Sequence, residues 1–431
     1  MRTLLTLLLL SPLLAWAQVR LEPAQIQQLA ELEEGTQVLL APGTYPPLVI
    51  DRTLSIRAEP GALVEGGAVG HAVQLLAPGI RLQGLTIRNW GDDLGRQDAG
   101  IYVGRQAKGA VIQGNVLQGP AFGIWVDATA EVTIADNRIQ GDQSLRSQDR
   151  GNGIHLFNVS GARVEGNEIW HTRDGIYIDT SNNNVLARNH LHDLRYGIHY
   201  MYSHHNQVLD NLTERTRTGY ALMQSKFLEV RGNQSRDDQN YGILMNYITY
   251  STLVGNRVSG VRASRGLLNS KGGEGKAFFV YNSVGNTLSH NHVFDSDLAI
   301  HLTAGSDQNR IFANAFVGNQ AQVKYVSTRS QEWSHEGQGN YWSDYLGWDM
   351  NGDGQGDLAY EPNDGMDQLL WRYPSARFLF NSPAVELLRW VQRSFPVFKA
   401  QGVKDSHPLM APPQAPALML AGGQDEPVAA H

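Results

Sequence analysis

Arg195-Tyr196-Gly197-Ile198-His199-Tyr200-Met201-Tyr202-Ser203-His204-His205-Asn206 lies midway in a run of repeats, and its reading decides the fold. One unit later its opening returns as Gly219-Tyr220-Ala221-Leu222-Met223, and one more unit on as Gly242-Ile243-Leu244-Met245. A Gly followed by an apolar residue recurs at Gly100, Gly123, Gly153, Gly175, Gly197, Gly219 and Gly242, with Ala277 and Ala299 in that place later. An Asn recurs at Asn115, Asn137, Asn167, Asn189, Asn211, Asn233, Asn256, Asn291 and Asn314, at gaps of 22, 30, 22, 22, 22, 23, 35 and 23. A period near 22 built from short apolar pieces means a solenoid. No helix-length segment fits inside a unit, so each unit is a coil of three short strands. The predicted fold is all-β: a right-handed parallel β-helix with coils stacked about 4.8 Å apart. Identical residues then stack, and the recurrent Asn amides are expected to bond along a buried column.

Working outward, two insertions break the rhythm. The usual step from Asn to the next Gly or Ala is 8 or 9 residues, but it is 16 after Asn137 and 21 after Asn256. Both should leave the coil at the same corner. The second, from Arg262 to Lys276, is Gly-rich and basic and is expected to be mobile. Toward the N-terminus, Pro23 to Glu33 reads as a short amphipathic helix with Ile26, Leu29 and Ala30 on one face. Toward the C-terminus, Pro383 to Arg393 reads as an amphipathic helix, with Ser382 as N-cap and Pro383 in the first turn. The last 21 residues are Pro/Ala-rich and read as disordered. The divisions are therefore a signal peptide at 1–17, an N-terminal cap with the first coils at 18–98, and the main repeats at 99–330. A C-terminal cap follows at 331–410, then a tail at 411–431.

Arg2, the apolar run Leu4 to Leu14 and Ala15-Trp16-Ala17 form a secretory signal with its cleavage site. The mature protein is expected in the periplasm. The chain's 431 residues carry a formal charge of −7, which gives no reason to expect nucleic-acid binding. There is no Cys, so a soft metal site must come from the 14 His and 8 Met.

Strand alternation selects the exposed side chains. Offsets +1 and +3 from each repeat Gly are apolar and fill the core, so +2 and +4 point outward. Met201 and Met223 should then stack one coil apart, with His199 on the same face and His204 and His205 at the next turn. Thioethers beside imidazoles suit a soft monovalent ion, and Cu(I) is the obvious candidate. Met245 falls at offset +3, which leaves its direction open. His190 and His192 share a face near His171; they could form a second site, though solvated polar residues are the simpler reading. In the loop from Asp349 to Asp357, Asp349, Asn351, Asp353 and Asp357 match the start of a Ca²⁺ loop, with Tyr360 where the bidentate Glu belongs. A structural Ca²⁺ holding the cap is expected there. The alternative reading is a secreted polysaccharide lyase or epimerase-like enzyme, using Asp92, Asp93, Asp98, Asp149 or Asp174 with His155 and Tyr177. No tight acidic pair supports it.

Several segments resemble the NosD family: Gln97-Asp98-Ala99-Gly100-Ile101-Tyr102, Tyr196 to Ser203, Ala221-Leu222-Met223-Gln224-Ser225-Lys226, Asn340-Tyr341-Trp342-Ser343-Asp344-Tyr345, Asn381-Ser382-Pro383-Ala384-Val385 and Asp405-Ser406-His407-Pro408-Leu409-Met410. The resemblance runs from about residue 18 to 410. It implies a non-enzymatic periplasmic maturation factor for nitrous oxide reductase. Such proteins act with an ABC transporter made of an ATPase and a permease, and with a lipoprotein copper chaperone. The helix at Pro383 to Arg393 would then be a docking element for the permease.

Overall fold

The computed structural model describes residues 18–263, 275–303, 305–326, 329–363 and 402–414, with scattered positions between 382 and 391. The expected signal segment, most of the second insertion and the tail beyond 414 lie outside the described residues. Those described form a parallel β-solenoid of three sheets with 12, 13 and 13 strands. We call these sheets 1, 2 and 3, in the order a coil visits them. One coil runs through Tyr196–Met201 in sheet 1, Gln207–Leu209 in sheet 2 and Leu212–Glu214 in sheet 3, then returns to sheet 1 at Thr218–Met223.

The strands form where the sequence alternates. In sheet 2, Val164, Leu186, Val208, Val230 and Leu253 stack as one column and are fully buried. Burying each such side chain contributes about 1.5–3 kcal/mol. The repeat Gly is needed where sheet 1 begins. A Cβ on Gly197 would lie 2.6 Å from the Gly219 carbonyl oxygen and 2.5 Å from Thr213 Cγ2. The residue before each ladder Asn from Asn115 to Asn314 bends the chain through positive φ, as at Asp210 (54°) and Gly232 (67°). That bend turns sheet 2 into sheet 3.

The Asn column forms as expected. Asn189 Nδ2 donates to Asn211 Oδ1 at 2.9 Å, and Asn211 Nδ2 donates to Asn233 Oδ1 at 2.9 Å. The same Oδ1 atoms also accept the backbone N–H of the preceding Asn, at 3.0 Å in both cases. The column runs from Asn115 to Asn340. It ends on Asp405, whose Oδ2 accepts the Asn340 backbone N–H at 2.7 Å and Trp342 Nε1–H at 2.8 Å. Burial pushes the Asp405 carboxyl up from its ordinary range. A second column at the bend from sheet 1 to sheet 2 is absent from the sequence reading. There the backbone N–H of Ser181 donates to Ser203 Oγ at 2.9 Å, and that of Ser203 to Ser225 Oγ at 3.0 Å. Its signal was the Ser-x-x-Asn spacing at Ser181/Asn184 and Ser203/Asn206.

Both insertions leave between sheets 3 and 1, after Arg138–Gly141 and after Arg257–Ser259. Residues 264–274 of the second lie outside the described residues. The N-terminal helix is a 3-10 helix, Pro23–Glu31, rather than an α-helix. Ile26 and Leu29 in the helix and Leu32 at its C-cap recur every three residues, which is the 3-10 period and lines them along one edge against the core. Of the expected C-terminal helix, Pro383, Ala384, Leu387, Leu388 and Val391 are helical; its other residues lie outside the described ones.

Candidate metal centre

The outer face of sheet 1 carries the proposed ligands. Ile198 and Tyr200 are fully buried in the core, so His199 and Met201 point outward between and beyond them. Asp179 pairs with Met201, His199 with Ala221, and Met223 with Asn246. The shared offset of 22 places Met201 and Met223 on adjoining rungs, and both are half-buried. Met245 is fully buried in the core, and Asn246 takes the outward rung beside it.

His199 faces outward yet is only 8% exposed, because neighbouring side chains cover it. Its ring stacks on Tyr177 at 4.4 Å and meets the edge of Tyr196 at 5.0 Å. Nδ1 lies 2.9 Å from Asp174 Oδ2. Arg195 grips the same carboxylate, with Nε and a terminal nitrogen at 2.7 and 2.6 Å. Burial alone would raise Asp174, but His199 and the Arg195 guanidinium hold its carboxyl below the ordinary range. An ionised Asp174 accepts the Nδ1–H, and in the neutral ring the lone pair then sits on Nε2. Among the described residues that Nε2 is buried with no hydrogen-bond partner. A carboxylate behind an imidazole, with the far nitrogen free, is the outer-shell arrangement of metal-binding His.

His204 and His205 stand elsewhere, on the turn after this strand. His204 is half-buried, and its Nδ1 accepts the Lys226 backbone N–H at 3.2 Å. In that tautomer the proton sits on Nε2, so His204 as folded offers no outward lone pair. Burial, with Lys226 and His205 nearby, also pushes the imidazole down from its ordinary value. His205 has φ of 57° and stacks on Phe227 at 4.8 Å. His199, His204 and His205 therefore do not form one cluster of nitrogens; among the described residues the single group of three or more His and acidic ligands is Glu168, His190 and His192.

The loop from Asp349 to Asp357 satisfies itself. Asp349 accepts the backbone N–H of Gly352 at 2.6 Å and of Gly354 at 2.8 Å. Asn351 Oδ1 accepts from Asp353 N–H, Asp353 Oδ1 from Gln355 N–H, and Asp357 Oδ2 from Met350 N–H. Asp349, Asp353 and Asp357 do not converge as a ligand group. The oxygens expected to hold Ca²⁺ accept backbone N–H groups that shape this turn, and each keeps a further lone pair.

Four of the five carboxylates of the enzyme reading are also engaged, Asp93 with Arg96 among them. Asp98 accepts from the backbone N–H of Gly70 and Asp93, Asp149 pairs with Arg146, and Asp174 is held as above. A cavity of about 450 Å³ is lined by Asn89, Gln118, Gln140, Asp142 and Ser144 on sheet 3, away from the Met rungs.

A family model described as "Periplasmic copper-binding protein (NosD)" matches residues 135–347. A Pseudomonas aeruginosa protein named "Probable ABC transporter binding protein NosD" is 58% identical over 404 residues, 94% of each chain. The chain belongs to the NosD family. A Stutzerimonas stutzeri family member of the same name is 57% identical over 366 residues, 84% of each chain. These relatives are named as binding proteins rather than enzymes. Among solved structures, the A-module of the Azotobacter vinelandii mannuronan C-5 epimerase AlgE6 is 14% identical, with a TM-score of 0.53 over 72% of this chain and 94% of that one. A Yersinia enterocolitica family 28 exopolygalacturonase is 11% identical, with a TM-score of 0.51 over 74% and 77%. Both likenesses show the solenoid fold alone.

Proposed function

We propose that this NosD-family chain is a periplasmic assembly factor that carries Cu(I) to nitrous oxide reductase. It takes the ion with the help of a lipoprotein copper chaperone and works beside an ABC transporter ATPase and permease. The Cu(I) ligands are Met201, Met223 and the Nε2 of His199. His204 and His205 join only if they release the Lys226 amide and the Phe227 ring.

The observation that carries this reading is the free, buried Nε2 of His199 with Asp174 behind it. Met201 lies two residues further on the same strand face, about 7 Å away by strand geometry. Met223 lies one rung across, about 4.8 Å from Met201. Two thioethers and one neutral imidazole form a soft, uncharged ligand set, which suits a monovalent ion and lets it leave again. The Asp174–Arg195 pair keeps the imidazole in the ligating tautomer without adding an anion to the ligand shell. The docking role at Pro383 to Arg393 belongs to the same proposal. Leu387 (60%) and Leu388 (49%) are exposed there, which leaves apolar surface for a permease.

Met201→Ala combined with Met223→Ala should cut Cu(I) affinity at least tenfold in competition titrations against a chromophoric chelator. Circular dichroism and the melting transition should be unchanged, because both side chains lie outside the core. Undiminished affinity in the double variant would remove the site.

A further inference from the structure

Strands Glu168–Trp170 and His190–His192 are neighbours in sheet 3, with Glu168 opposite His190 and Trp170 opposite His192. Ile169 and Leu191 between them are fully buried, so these four side chains share the outer face. Glu168, His190 and His192 each offer one ligand atom within 4.8 Å of the others. We infer that they form a second metal site, for a borderline divalent cation such as Zn²⁺ or Cu²⁺, distinct from the thioether rungs of sheet 1.

Three details make this a built site. First, each imidazole is oriented by a carboxylate. His192 Nδ1 lies 2.7 Å from Asp193 Oδ2, and His190 Nε2 lies 3.0 Å from Glu214 Oε2. Those carboxylates are themselves anchored: Arg215 donates to both oxygens of Asp193 at 3.2 and 3.0 Å, and Arg236 donates to Glu214 at 2.8 Å. In the neutral form each ring then carries its proton on the carboxylate side and offers its other nitrogen to an ion. Second, Trp170 stacks on His192 with an interplanar angle of 6°, which sets the ring plane. Third, Glu168 divides its work. Oε2 accepts from Arg138 Nε at 2.8 Å, while Oε1 faces His192 Nε2 at 3.8 Å.

Tetrahedral ligands about 2.1 Å from Zn²⁺ lie about 3.4 Å apart, so the Glu168–His192 gap needs only a few tenths of an ångström of closure. Two imidazoles and one carboxylate leave a fourth position open, which suits an ion that is exchanged. Side-chain exposures of 40% for His190, 16% for His192 and 36% for Glu168 leave an entry path. The carboxylate makes the set harder than the thioether rungs and favours a divalent ion over Cu(I). His171, close in sequence, contributes no ligand atom to the group.

Titration of the mature full-length chain with Zn²⁺ against a chromophoric competitor, and with Co²⁺ for its visible tetrahedral bands, tests this. One equivalent should bind to the wild type. His190→Ala with His192→Ala should lose at least tenfold in Zn²⁺ affinity and abolish the Co²⁺ bands, while Met201→Ala with Met223→Ala should keep both. Glu168→Gln, which preserves shape and decides the matter if the His variant misfolds, should lose severalfold. Absence of wild-type binding at micromolar Zn²⁺, or affinity unchanged in Glu168→Gln and the His variant, overturns the site.

Discussion

Asn211→Leu is expected to lower the unfolding free energy by roughly 2–6 kcal/mol, at ~1–3 kcal/mol for each of two buried polar groups, the Asn189 backbone N–H and the Leu186 carbonyl, that lose a partner. Asn211 is fully buried, and leucine matches its shape, so packing changes little. Hydrogen bonding changes a great deal. The Asn189 backbone N–H and Nδ2 lose their shared acceptor, and the Leu186 carbonyl loses the Asn211 Nδ2 donor. The damage falls on two coils, because each amide serves both the rung it belongs to and the one before. Guanidinium unfolding monitored by circular dichroism measures it. A loss below about 1 kcal/mol would mean that the ladder is incidental to stability.

Acid exposes the second large effect. His155 packs between Trp125 and Tyr177 at 4.0 and 4.6 Å, and burial pushes its imidazole down to about 3. In the unfolded chain it titrates near 6.5, so below that pH the unfolded state binds a proton that the folded state refuses. Stability present above pH 6.5 is therefore lost as pH falls toward 3, by roughly 3 kcal/mol at pH 4. Asp238 acts in the opposite sense. Burial raises its carboxyl to about 6, despite donors from Ser235, Thr216 and Thr213. The folded state takes up that proton first, so Asp238 contributes stability as pH falls from about 6 to 3.8. The two nearly offset in the wild type, and the variant separates them. His155→Phe keeps an aromatic ring in the stack and removes the titration. Relative to wild type, it should gain roughly 3 kcal/mol between pH 7 and pH 4 in denaturant unfolding. A difference that does not change with pH would show that His155 titrates normally in the folded protein.

Period and alternation made the coil, its three strands and its Asn column legible, because a parallel stack repeats the same local problem every 22 residues. Met201 and Met223 were legible for the same reason: the alternation that buries Tyr200 and Leu222 must turn their neighbours outward. Met245 follows the rule and lies inside. The 3-10 character of Pro23–Glu31 was written in the three-residue spacing of Ile26, Leu29 and Leu32, which an α-helical reading passes over.

What surrounds an outward side chain was not legible, because it depends on residues one or more coils away. Asp174 and Arg195 close over His199 from distances of 25 and 4 residues in sequence, and turn an exposed imidazole into a buried one. His204 is claimed by a backbone amide 22 residues on. Glu168, His190 and His192 meet only because sheet 3 sets two strands in register. Local sequence determined which way each side chain points, since strand sterics act between adjacent residues. Tertiary structure alone decided which nitrogen stays free, since that is settled by hydrogen-bond partners delivered from neighbouring coils.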